Sequence, residues 1–125
     1  MFPVRSTSTL ALALCLVSAC APRMEILQAP PAVPGVSIQV WTQELAREKG
    51  KAIYAKNYGD RPLRITLLHL YNCQNVTDPC GATNPDVTLA PGESAALATL
   101  RPVRRDRPYN FQYSFQWKEV PPSPR

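Results

Sequence analysis

The sequence predicts an all-β protein, a small antiparallel β-sandwich that follows a signal peptide and a proline-rich tether. Three observations carry this. From Val36 to Val120 the chain falls into runs of strand length, each closed by glycine, proline or short polar residues. In PYNFQYSFQWK, Tyr109, Phe111, Tyr113, Phe115 and Trp117 alternate with Asn110, Gln112, Ser114, Gln116 and Lys118, the pattern of a strand with one dry face and one wet one. Only Trp41 to Lys49 offers helical propensity, and no apolar face forms there.

The elements follow in order. Strands are expected at Val36 to Leu45, Lys51 to Tyr58, Pro62 to Cys73, Asp86 to Leu89, Ser94 to Val103 and Tyr109 to Lys118. Their joints are turn-rich: Arg47-Glu48-Lys49-Gly50, Tyr58 to Pro62, the cysteine loop with Gly81 to Pro85, Ala90-Pro91-Gly92-Glu93, and Arg104 to Pro108. Strands this short and regularly spaced, without helical segments between them, point to one sandwich rather than an α/β fold. The expected domain is 36–120, with a short tail at 121–125. Within Pro62 to Cys73, Ile65, Leu67, His69 and Tyr71 alternate with Thr66, Leu68 and Leu70, so both faces are mostly apolar. A central strand with a covered second face is the expectation.

Residues 1–19 read as an export signal. One cation, Arg5, precedes an apolar run from Leu10 to Val17, and Ser18 and Ala19 close it. The run is less than half the ~20 residues a spanning helix needs. Residues 20–35 contain four prolines before Gly35 closes the tract. Their fixed backbone makes a semi-rigid spacer. Met24, Ile26 and Leu27 suit docking on the domain or entry into headgroups, but a plain linker is the simpler expectation.

Val17-Ser18-Ala19-Cys20 resembles the lipobox of bacterial lipoproteins, in which the cysteine thiol accepts a lipid and the chain is cut before it. An ordinary signal with an incidental cysteine fits the same letters. The cysteine's position, where the apolar run ends and the polar tract begins, favours the lipobox. The resemblance implies lipidation at Cys20 and two or three acyl chains, enough for durable membrane attachment. Ala21 stands where aspartate signals inner-membrane retention in such proteins, so the resemblance implies the periplasmic face of the outer membrane.

Four cysteines are present. Cys15 leaves with the signal and Cys20 takes lipid, so Cys73 and Cys80 remain as a pair, expected to be bridged in an oxidising compartment. Their spacing is not CxxC, and no second ligand cluster accompanies them, which disfavours a metal site. Asn75-Val76-Thr77 matches a glycosylation sequon, which a bacterial lipoprotein does not ordinarily use.

KAIYAKNYGDRPLRITL and VTLAPGESAALATL carry a second resemblance. A strand ending in Asn57, a Gly59-Asp60 turn, another strand and a Pro91-Gly92 turn are similar to bacterial immunoglobulin-like domains of the cell envelope. Pro91 and Gly92 suit the fixed and the positive φ of a tight turn. A transthyretin-like sandwich, as in an outer-membrane lipoprotein of a secretion machine, is the competing topology.

The aromatic row is expected to face the core, since five bare rings would take most of the aromatic surface from a thin core. Tyr109 and Trp117, at the strand ends, are the rings expected to be partly exposed, and a glycan-stacking platform would use them. His69, the one histidine, lacks a nucleophile-elbow motif nearby and reads as structural. Asp60, Asp78, Asp86, Glu93 and Asp106 all fall in turns, where carboxylates cap backbone. No glycine-rich phosphate loop or metal-ligand spacing occurs, so neither enzyme activity nor a cofactor is expected.

Lysine and arginine number 14 against nine acids, a net charge of +5. The densest patch is RPVRRDRP, where Arg101, Arg104, Arg105 and Arg107 surround Asp106. Export makes nucleic acid an implausible partner. The expectation is a non-enzymatic, lipid-anchored envelope protein serving as a structural or protein-interaction module, through these arginines and the Cys73 to Cys80 loop. Alternatives are a carbohydrate- or peptidoglycan-binding module using Tyr109 and Trp117, an accessory lipoprotein of a secretion machine, or a binder of anionic lipid through the arginines.

Overall fold

In a computed structural model, residues 28–77 and 80–121 are described. The signal, Cys15, the lipobox with Cys20, the apolar residues Met24, Ile26 and Leu27, Asp78 in the cysteine loop and most of the tail lie outside these residues.

Seven strands form two antiparallel sheets: β1 (Ile38–Glu44), β2 (Lys51–Asn57), β3 (Leu63–Gln74), β4 (Gly81–Thr83), β5 (Val87–Leu89), β6 (Ser94–Leu100) and β7 (Asn110–Glu119). One sheet runs β1-β2-β6. In the other, β3 is central: β7 pairs along one edge, and β4 and β5 share the other edge at its two ends. The molecule is a small β-sandwich, and all six expected strands are present.

The inner faces meet in two adjoining apolar clusters. Ile38, Ala55, Leu63, Ile65 and Leu89 form one, and Ile53, Leu68, Leu70 and Leu100 form the other. Burying a side chain of this size stabilises the fold by about 1.5–3 kcal/mol. Val40, Leu97 and Phe115 touch both clusters and join them.

A bulge in β3 between Ile65 and Leu67 departs from the simple alternation expected of this strand. The extra residue advances the side-chain phase by one. Ile65 therefore shares the inner face with Leu68 and Leu70, while His69 and Tyr71 stand exposed on the outer face. β3 is central as expected, but its second face remains largely open at these two residues. β4, read from sequence as loop, is a strand because the Cys73–Cys80 bridge, with Cα atoms 6.4 Å apart, turns the chain back onto Leu68 to Leu70.

Phe111, Tyr113 and Phe115 point inward and pack on the second cluster, as expected, though each is only half-buried. Trp117, at 38% exposure, is the barest of the row. The cause is the shape of the sandwich: β5 and β6 close one side, whereas β1 and β7 are both edge strands, and the side they share is open. Tyr113 bridges that opening by donating its hydroxyl to the carbonyl of Val40 at 3.4 Å.

Asn57 is the one fully buried polar side chain among the described residues. Its Nδ2 donates to the carbonyls of Arg61 (2.7 Å) and Leu89 (2.9 Å), and its Oδ1 accepts from Gly59 N–H at 2.8 Å. Its own backbone is bonded to Glu93 O and Gly92 N. The turn at Ala90 to Glu93 takes the expected form, with Gly92 at φ 82° and Glu93 N–H on Ala90 O at 2.9 Å.

Candidate functional site

β6 ends at Leu100, and the arginine-bearing loop runs from there to β7. Residues 101–109 lie outside any strand, and seven of the nine are exposed, so the segment would ordinarily wander. Here the segment after Cys73 holds them. Asn75, in the left-handed region at φ 55°, accepts from Arg104 N–H at 2.8 Å through Oδ1. Its Nδ2 donates toward the carbonyls of Arg104, Arg107 and Pro108 at 2.9, 3.1 and 3.2 Å. Val103 N–H reaches Asn75 O, Thr77 N–H reaches Arg101 O, and Val76 bridges to Pro102. The amide side chain thus replaces the ladder that the loop lacks. The two sequence candidates, the arginine loop and the disulfide loop, are therefore one structure. Asn75, noted from sequence only as part of a sequon, is its organiser. A short polar residue able to adopt positive φ at a strand end was the available signal.

The charges on this surface divide into spent and unspent. Arg101 is spent, because its guanidinium grips Glu48 through two bonds of 2.8 and 3.2 Å. Arg101 holds the Glu48 carboxyl below the usual range, chiefly by this hydrogen bond, and Glu48 raises Arg101 in turn. Arg104 lies 3.8 Å from Asp106, an exposed and weak pair. Arg105 and Arg107 make no contact-distance ion pair among the described residues, although the charge of Arg105 also helps to lower the Glu48 carboxyl. Lys49 Nζ donates to Arg105 O at 2.8 Å, placing a further cation beside them.

Tyr109 stands next to this loop, at the mouth of an open groove of about 390 Å³ between β1 and β7. Thr42 and Glu44 form one wall, Phe111 and Tyr113 the other. Burial, with a contribution from Glu44, raises the Tyr109 hydroxyl above its ordinary range, and burial alone raises Tyr113. Trp117 is elsewhere. It pairs with Ile65 near the far end of β7. Eight residues along a strand span ~26 Å. Tyr109 and Trp117 therefore do not form one stacking platform. A broader depression lies at that far end, edged by Pro34, Gly35, Ser37, Tyr58 and Asp60.

His69 sits on the outer face with its ring 5.2 Å from that of Tyr71. Its cross-strand partners are Ser114 and Ala82. No carboxylate occupies those two register positions.

The lower part of the tether is not a free linker. Gln28 N–H donates to Gln43 Oε1 at 2.7 Å, Gln39 Nε2 donates to Pro31 O at 2.8 Å, and the Tyr58 hydroxyl donates to Pro30 O. Gln39, Trp41 and Gln43 share the outer face of β1, so the tether crosses the sheet over Trp41, which stacks on Tyr54. The order of the contacts fixes a direction: followed backwards from Pro31 to Gln28, the chain heads for the end of the sandwich that carries the arginines. No protein-family model, curated protein or solved structure matches the chain.

Proposed function

We propose that this chain is a non-enzymatic, lipid-anchored protein of the bacterial cell envelope, held at the periplasmic face of the outer membrane, whose sandwich binds an extended segment of another envelope protein. The observation that carries the reading is the edge of β7. This strand is ten residues long, pairs only with β3 among the described residues, and bears no charge before Lys118. Sheet edges are ordinarily blunted by lysine, proline or a short length, because unpaired N–H and C=O groups invite another strand. β7 has none of these over eight consecutive positions. Beside it, the groove edged by Tyr109, Phe111 and Tyr113 is a place for the alternate side chains of an added strand, the mode in which main-chain bonds supply affinity and pockets supply selectivity. The immunoglobulin-like resemblance and the lipobox support the envelope setting. A glycan bound through both Tyr109 and Trp117 would have to span the length of β7.

The test is a photo-crosslinking residue placed at Gln112 or at Gln116, both exposed on β7, in intact cells. A discrete adduct with one protein is expected from both positions, and none from Thr88, which lies on the opposite edge of the same sheet. Equal adducts from all three positions, or none from β7, would contradict strand addition.

A further inference from the structure

The charge of the domain is polarised along the strands. At the end where β1 turns into β2 and β6 into β7 stand Arg47, Lys49, Lys51, Arg101, Arg104, Arg105 and Arg107, against Glu44, Glu48 and Asp106. At the other end Lys56, Arg61, Arg64 and Lys118 meet Asp60, Asp86, Glu93 and Glu119. Among the described residues, the whole surplus of positive charge therefore sits at one end. The tether independently points to the same end, since Gln28 is bonded to Gln43, one residue before the close of β1. Residues 20–27 span at most ~29 Å however they run, given ~3.6 Å per extended residue. A lipid on Cys20 would thus lie within ~29 Å of Gln28, near enough for the arginine end to meet the bilayer.

From this coincidence we infer that the arginine loop is a docking surface for the anionic headgroups of the membrane that holds the lipid. The inference rests on the anchor proposed above. Arg105 and Arg107 supply cations that no carboxylate holds at contact distance among the described residues, Lys49 adds a third, and Asn75 holds their backbone so that little loop entropy is lost on contact. A polybasic patch beside a lipid chain is a recognised way to strengthen attachment. Here it would also orient the domain, leaving the β7 edge upright and accessible along its length.

The experiment uses the chain from residue 20 with Cys20→Ser, so that no acyl chain contributes, and vesicles of phosphatidylcholine with or without phosphatidylglycerol. Flotation with the anionic vesicles only, weakening at 0.5 M salt, is expected. The variant Arg104→Gln/Arg105→Gln/Arg107→Gln is expected to lose affinity at least tenfold. Arg61→Gln/Arg64→Gln/Lys118→Gln is expected to bind as the parent does. Melting curves for both variants monitor folding, and the exposed positions predict little change. No preference for anionic vesicles, or equal loss in both variants, would overturn the surface. So would a crosslinked protein partner lost on arginine replacement while vesicle binding is absent, which would assign these arginines to that protein. Acylation is scored separately, by lipid labelling of the native chain at Cys20. Vesicle binding without labelling would support the surface while removing the anchor.

Discussion

Replacing Asn57 by alanine is expected to lower unfolding free energy by about 3 kcal/mol in chemical denaturation, the largest loss from any single polar side chain in this domain. Three side-chain bonds disappear together, and the carbonyls of Arg61 and Leu89 and the N–H of Gly59 lose their partner. The site is fully buried, so water cannot readily replace the amide. Asn57→Asp is the sharper variant. It keeps the shape and the acceptor for Gly59, but turns a donor to two carbonyls into a third oxygen facing them. A larger loss than with alanine is expected at neutral pH. If both variants melted as the native protein does, Asn57 would not be the joint of the β2–β3 turn, β5 and the Ala90 to Glu93 turn.

Opening the Cys73–Cys80 bridge is the second large effect. The closed loop is short, and the chain-entropy relation assigns it about 2.5 kcal/mol. For a domain of this size that corresponds to a fall in Tm of roughly 10–20 °C. Its reach is wider than one loop. The bridge holds β4 against β3 and sets the position of Asn75 to Thr77, which in turn pin the arginine loop. Reduction, or Cys73→Ser/Cys80→Ser, is therefore expected to speed amide exchange at Val103 and Arg104 well beyond the change at Ile53, in the middle of β2. Equal acceleration at all three would mean that the bridge stabilises the fold globally without organising the loop.

Most of the fold was legible because its signals are local. Alternation of rings with polar residues marked β7, and Pro91-Gly92 marked the turn into β6. What escaped depends on contacts between distant residues. Gly81-Ala82-Thr83 has little strand propensity outside Thr83, and it pairs where the disulfide returns it to β3. The bulge near Leu67 reverses the phase of the rest of β3, and nothing in LRITLLHLYN distinguishes the two phases. The arginines were visible as residues, and their scaffold was not. Asn75 does nothing recognisable until Arg104, Arg107 and Pro108 are brought to it. The tether escaped for the same reason. Proline content predicts stiffness, but the sheet face that receives Pro30 and Pro31 exists only once β1 and β2 have paired.

These features combine into one physical arrangement. A disulfide and an asparagine hold a basic loop at the end of the sandwich toward which the tether leads. An edge strand without charge over its first eight residues is left open along its side. The first would face the headgroups and the second a protein. The arrangement requires that contact with the membrane fall on one end of the domain only.

Hydrogen exchange of the protein carrying the proposed lipid on Cys20, on phosphatidylglycerol-containing vesicles and on neutral vesicles, measures this most directly. Added protection is expected in residues 74–77 and 101–108, and none in residues 84–93 at the opposite end. Protection spread evenly over both ends, or confined to residues 84–93, would contradict the account.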